Sequence, residues 1–72
     1  MHPISKTDVL QILKVANNRL EYLGKQDRLN IEGGFGKHKV YIESNYHSLT
    51  GFVSKREVYM FLSAYIEGLS AK

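Results

Sequence analysis

The chain of 72 residues contains no cysteine, which excludes disulfides, a thiol nucleophile and a thiolate metal site. It has no apolar run near the roughly 18 residues needed to cross a bilayer, and no Asn-x-Ser/Thr acceptor for glycosylation. Its opening, Met1-His2-Pro3-Ile4-Ser5-Lys6, lacks the basic-then-apolar order of a signal peptide. A cytoplasmic protein of bacterial or viral type, with no membrane partner, is therefore expected. Catalytic signatures are missing as well: there is no nucleophile elbow and no H-E-x-x-H, and the seven carboxylates are scattered singly. His2, His38 and His47 fall at no ligand spacing. The sequence thus predicts no enzyme, no metal and no cofactor.

What is present is enough for one small domain spanning residues 1–72. The apolar share is 43%, including five Tyr and three Phe, so a core can form and disorder is not expected. A chain this short buries only about 60% of its unfolded surface, and one core leaves it marginally stable. Packing or a partner must supply the rest, and that partner can be a second copy. Ten Lys and Arg against seven Asp and Glu leave a net charge of +3, mild but compatible with an anionic ligand.

Two helix starts carry the same device. Ser5-Lys6-Thr7-Asp8 and Ser54-Lys55-Arg56-Glu57 both read as capping boxes, with Ile4/Val9 and Val53/Val58 at the positions of hydrophobic staples. After the first start, Val9, Leu13, Ala16, Leu20 and Leu23 recur at helical spacing, widened by Leu10 and Ile12, and Gly24 supplies a stop. A helix is predicted over 6–23. After the second, Val58, Phe61, Leu62, Tyr65, Ile66 and Leu69 form a broad apolar face, and Gly68 suggests an end. A helix over 55–67 follows, with Tyr59 and Met60 outside its apolar face.

Between them the period changes to two, which marks half-buried strands. Strands are predicted over 28–32, 38–43 and 49–53, the first two joined at Gly33-Gly34-Phe35-Gly36. The fold expected is α+β, in the order α-β-β-β-α, a short antiparallel meander with two flanking helices. The glycine turn superficially suggests a phosphate loop. A P-loop, however, needs glycine where Ile31 stands and Ser or Thr where His38 stands; a dinucleotide fingerprint needs glycine at Lys39. A hairpin turn is the reading that fits, with Phe35 at its tip either folded onto the core or offered to a partner.

Basic residues gather on the hairpin and the second helix start. Arg28, Lys37, His38, Lys39, Lys55 and Arg56 are candidate contacts for an anion or nucleic acid, and Tyr41 adds an aromatic of the kind on which bases stack. Phe35, Tyr59 and Met60 are candidate protein-interface residues.

The stretch Gly51-Phe52-Val53-Ser54-Lys55-Arg56-Glu57, in this element order, resembles the double-stranded-RNA-binding domains. That resemblance implies phosphate contacts from Lys55 and Arg56 and a nucleic-acid role for the loop over 34–38. The second helix differs from that family in carrying Tyr59, Phe61 and Tyr65 in place of a further lysine and small residues. The strand-glycine-strand segment over 29–42 and the closing segment over 54–69 are also similar to small phage and mobile-element proteins of gut bacteria. This second resemblance implies an origin but no activity; it is compatible with an accessory or host-antagonist role, in a bacterial cytoplasm or, for a phage-encoded protein, that of the host. Two functions are therefore expected in order. The first is a non-catalytic module that self-associates or binds a host protein. The second is binding of nucleic acid or a nucleotide, including sequestration of a nucleotide signal.

Overall fold

The computed structural model describes residues 3–34 and 36–70. In chain order these form α1 (Lys6–Tyr22), β1 (Leu29–Gly34), β2 (Lys37–Ile42), β3 (His47–Ser48) and α2 (Lys55–Ser70). The sheet is antiparallel in the order β1-β2-β3, so the α+β architecture and its α-β-β-β-α order are those expected.

Both helix starts form as their sequences dictate. The Ser5 hydroxyl accepts from the Asp8 amide at 3.2 Å, and Asp8 Oδ2 accepts from the Ser5 amide at 3.0 Å. At α2, the Ser54 hydroxyl accepts from the Glu57 amide at 3.2 Å, while Glu57 Oε1 accepts from both the amide and the hydroxyl of Ser54. Helix α1 stops at Gly24, whose φ of 77° is one that a Cβ would oppose. The amides of Gly24 and Lys25 close on the carbonyls of Glu21 and Leu20, satisfying the last turn. Gly68 does not play this part in α2. The helix passes through it to Ser70, because Leu69 one residue later packs against the core and offsets the roughly 1 kcal/mol that a helical glycine costs.

The third strand departs from expectation. Instead of pairing over 49–53, the chain pairs as His47–Ser48 against Ile42 and Tyr41, and then again only at Val53, opposite His38. Between these pairings β2 advances three residues and the third segment five, so two residues bulge out. Thr50 fills the gap. Its Oγ1 accepts from the Val40 amide at 3.1 Å, standing in for the carbonyl that a regular strand would present. The amides of Leu49 and Thr50 both turn to the Val40 carbonyl.

The core is a single cluster of Val9, Ala16 and Leu20 from α1, Leu29 from β1, Val40 from β2, and Val58 and Leu62 from α2. Both helices therefore cover the same face of the sheet rather than opposite sides of it. They lie side by side and run in the same direction. Ile4 and Lys6 adjoin Lys55, and Asp8, Ile12 and Val15 adjoin Tyr59. Leu10 and Leu23, read as part of the α1 stripe, are largely exposed. Asn17, a polar residue within α1, instead faces the sheet, where it donates to the Leu29 carbonyl at 3.0 Å and accepts from the Leu29 amide at 2.8 Å. The molecule is a slab of 33 × 30 × 17 Å, with two layers and one uncovered sheet face.

Candidate functional site

Parallel helices bring two separate chain segments together. The starts of α1 and α2 meet at one end of the slab, and the β1–β2 turn joins them there. An open groove is lined by Pro3, Ile4, Gly36, Lys55, Tyr59 and Met60 among others, and a smaller recess beside it by Lys6, Gly33, His38 and Lys55. The turn reaches this end through Gly36, whose φ of 75° belongs to the left-handed region.

Of the residues nominated from sequence, His38, Lys55 and Arg56 line the groove and recess at this end, and Lys37 is near enough to act on Glu57 there. They are joined by Lys6, which the sequence reading did not single out. The nearby carboxylates are both occupied by the capping boxes. The Ser54 amide and then the Ser54 hydroxyl hold the Glu57 carboxyl below its ordinary range, against a small opposing effect of burial, and Lys37 lowers it a little further. Lys6, His38 and Lys55, in contrast, make no side-chain hydrogen bond or ion pair among the described residues. The amides and dipoles of the two helix starts favour an anion at this end.

The remaining nominees lie elsewhere. Lys39 and Tyr41 alternate with the buried Val40 and so point from the uncovered face of the sheet. There Lys39 Nζ lies 3.5 Å from Glu32 and 5.1 Å from the centre of the Phe52 ring. Tyr41 stacks on Tyr46 with centroids 5.8 Å apart. Tyr46 holds a φ of 56°, unusual for an aromatic residue, and the stack helps offset that strain. Arg28 sits at the opposite end of the hairpin, where its Nη1 donates to the carbonyls of Lys25 and Asp27. It does not join the cluster. Tyr59 is half-buried against α1 rather than fully offered to a partner, whereas Met60 is 60% exposed. Phe35 lies outside the described residues.

The missed residue had a visible signal. Lys6 follows Ser5 as Lys55 follows Ser54, so each capping serine is succeeded by a lysine. Only the direction of the helices, a tertiary property, brings the two lysines to one place. No family model matches the chain, and no curated protein and no solved structure matches it significantly.

Proposed function

We propose that this protein is a non-catalytic binding module that takes the phosphates of a nucleic acid at the end where its helix starts converge. One observation carries the reading: Lys6, His38, Lys55 and Arg56 line the groove and its recess from three parts of the chain, while Asp8 and Glu57 are engaged in the capping boxes. Phosphate contacts by lysine and arginine dominate nucleic-acid affinity and make it salt-dependent. The resemblance to double-stranded-RNA-binding domains supports the same two contacts, Lys55 and Arg56. Fluorescence anisotropy with duplex and single-stranded RNA and DNA across a salt series tests this. Binding at low salt is expected, with a log–log salt slope that falls by about two when Lys55 and Arg56 are both changed to Gln. No binding to any of the four at low salt overturns the reading.

A second reading, self-association through the uncovered sheet face, is favoured by the shape. The exposed area of 5226 Å² exceeds the roughly 4,500 Å² of a compact monomer of this mass, and that face carries Tyr46 and Phe52, both largely exposed. Its polar side chains are engaged with one another, Lys39 paired with Glu32 and Asn30 donating to Glu43, as suits a protein interface better than a polyanion. Sedimentation equilibrium at micromolar concentration is expected to show a dimer that Tyr46→Ser and Phe52→Ser weaken; a strict monomer removes this reading.

A further inference from the structure

Beside the open groove, Lys6 from α1, His38 from β2 and Lys55 from α2 stand around a recess of about 170 Å³, which Val9, Ile31 and Gly33 also line. Three features set it apart from an ordinary basic surface. First, its three basic groups come from segments remote in sequence, and no carboxylate lines it among the described residues. Second, none of the three side chains has a hydrogen-bond or ion-pair partner among the described residues, although the His38 ring is half-buried. Third, Gly33 lines it without a side chain, and a Cβ there would come into van der Waals contact with the His38 ring, 3.4 Å from Nδ1 and 3.7 Å from Cε1, so bulk added at 33 borders the imidazole. An anion seated there would find nitrogen donors from three segments of the chain against apolar walls.

Size and shape narrow the anion. The recess equals roughly five or six water volumes, which suits a phosphate group with part of its hydration and is too small for a nucleoside. A phosphate within a polymer has chain leaving on two sides, whereas a recess admits a group attached on one side only. A terminal phosphate also carries up to two negative charges, matching a site with two lysines. We infer that the recess binds a phosphomonoester, the terminal phosphate of a nucleic-acid strand or of a free nucleotide. The attached nucleoside leaves past Lys55 into the neighbouring groove, against Tyr59 and Met60, which line it. The inference rests on the nucleic-acid reading and gives it a specificity that internal phosphates cannot supply.

The test compares two single-stranded oligonucleotides of one sequence, one with a 5′-phosphate and one with a 5′-hydroxyl, both labelled at the 3′ end. Anisotropy is expected to show the phosphorylated strand bound at least about tenfold more tightly, the worth of one good charge-assisted contact. Gly33→Val, which fills the recess, and Lys6→Gln, which removes a cation, should each erase the difference between the strands. Circular dichroism and thermal melting check that both variants fold, and the lysine variant decides the matter if the glycine variant does not. Competition by adenosine monophosphate as effective as that by the phosphorylated strand supports the site and assigns it to free nucleotides. Weak competition beside a retained strand preference supports it and assigns it to strand ends. Equal binding of the two strands, still salt-dependent, overturns the recess and leaves the nucleic-acid reading standing. Failure of both strands to bind overturns both.

Discussion

At the end of the slab where α1 stops and β1 begins, polar side chains are spent on the molecule itself. Asn17 brackets the backbone of Leu29, Arg28 holds two carbonyls of its own loop, Asp27 accepts from the Ser44 hydroxyl, and Glu43 accepts from Asn30. At the other end the carboxylates are also used internally, in the capping boxes, but among the described residues the side chains of Lys6, His38 and Lys55 are not. Similar residue types thus serve opposite ends differently. A charge that closes a loop belongs to the fold, whereas basic groups gathered without an acid are left for something outside it. Single unpaired lysines on a surface are commonplace; three basic groups around one acid-free recess are a different arrangement.

The comparison breaks most visibly at Asn17. Leu29 is 2% exposed, so Asn17→Ala strands both its amide and its carbonyl away from water. A loss of about 2–3 kcal/mol is expected in urea unfolding, with nucleic-acid binding by the folded fraction unchanged. A loss below about 0.5 kcal/mol would mean that end is held by other contacts.

A smaller, pH-dependent effect belongs to Glu57. Its carboxyl lies below the ordinary value of 4.5 in the folded state. A lowered acid contributes stability above its unfolded pKa and loses it as the pH falls through the folded one. Glu57→Ala should therefore be less stable than the parent at pH 7, and the gap should close below about pH 4.5. A gap that persists unchanged to pH 2.5 would remove the carboxylate from the cap.

The smallest effect on folding is expected at Lys55. Neutralising a cation at a helix start relieves an unfavourable dipole contact, so Lys55→Gln should shift stability by no more than about 0.5 kcal/mol, in the stabilising direction. Anisotropy should nevertheless show weaker binding. A destabilisation above about 1 kcal/mol would make Lys55 a structural residue and blur the contrast between the ends.

Much of the fold could be read locally. Both capping boxes, the stop at Gly24 and the first two strands depend on residues a few positions apart, and all form close to where the pattern puts them. The third strand misled because its alternation is real, yet Thr50 substitutes a side chain for a backbone partner and the segment bulges. Gly68 misled because the packing of Leu69 outweighs helix propensity. For the site, Lys37, His38, Lys55 and Arg56 could be found as cations near turns and helix starts. Arg28 shares the hairpin with them, but a strand six residues long separates its ends. Nothing local marks Lys6, because two helices joined by a sheet can run either way.

Asn17 has a consequence for how this protein can assemble. Because the Glu43 amide bonds to the Arg28 carbonyl, the alternation of an antiparallel pair turns the Leu29 amide and carbonyl outward, away from β2. The Asn17 carboxamide offers those groups one donor and one acceptor, as a residue of a neighbouring strand would, and Asn30 Oδ1 does the same for the Ile31 amide. The seat for an added strand is therefore partly taken on that edge. On the opposite edge only His47–Ser48 is regular before the chain bulges. A foreign extended chain meets poor templates on both sides, so copies of this protein are steered away from growing into a continuous ribbon and toward meeting, if they meet, broadside.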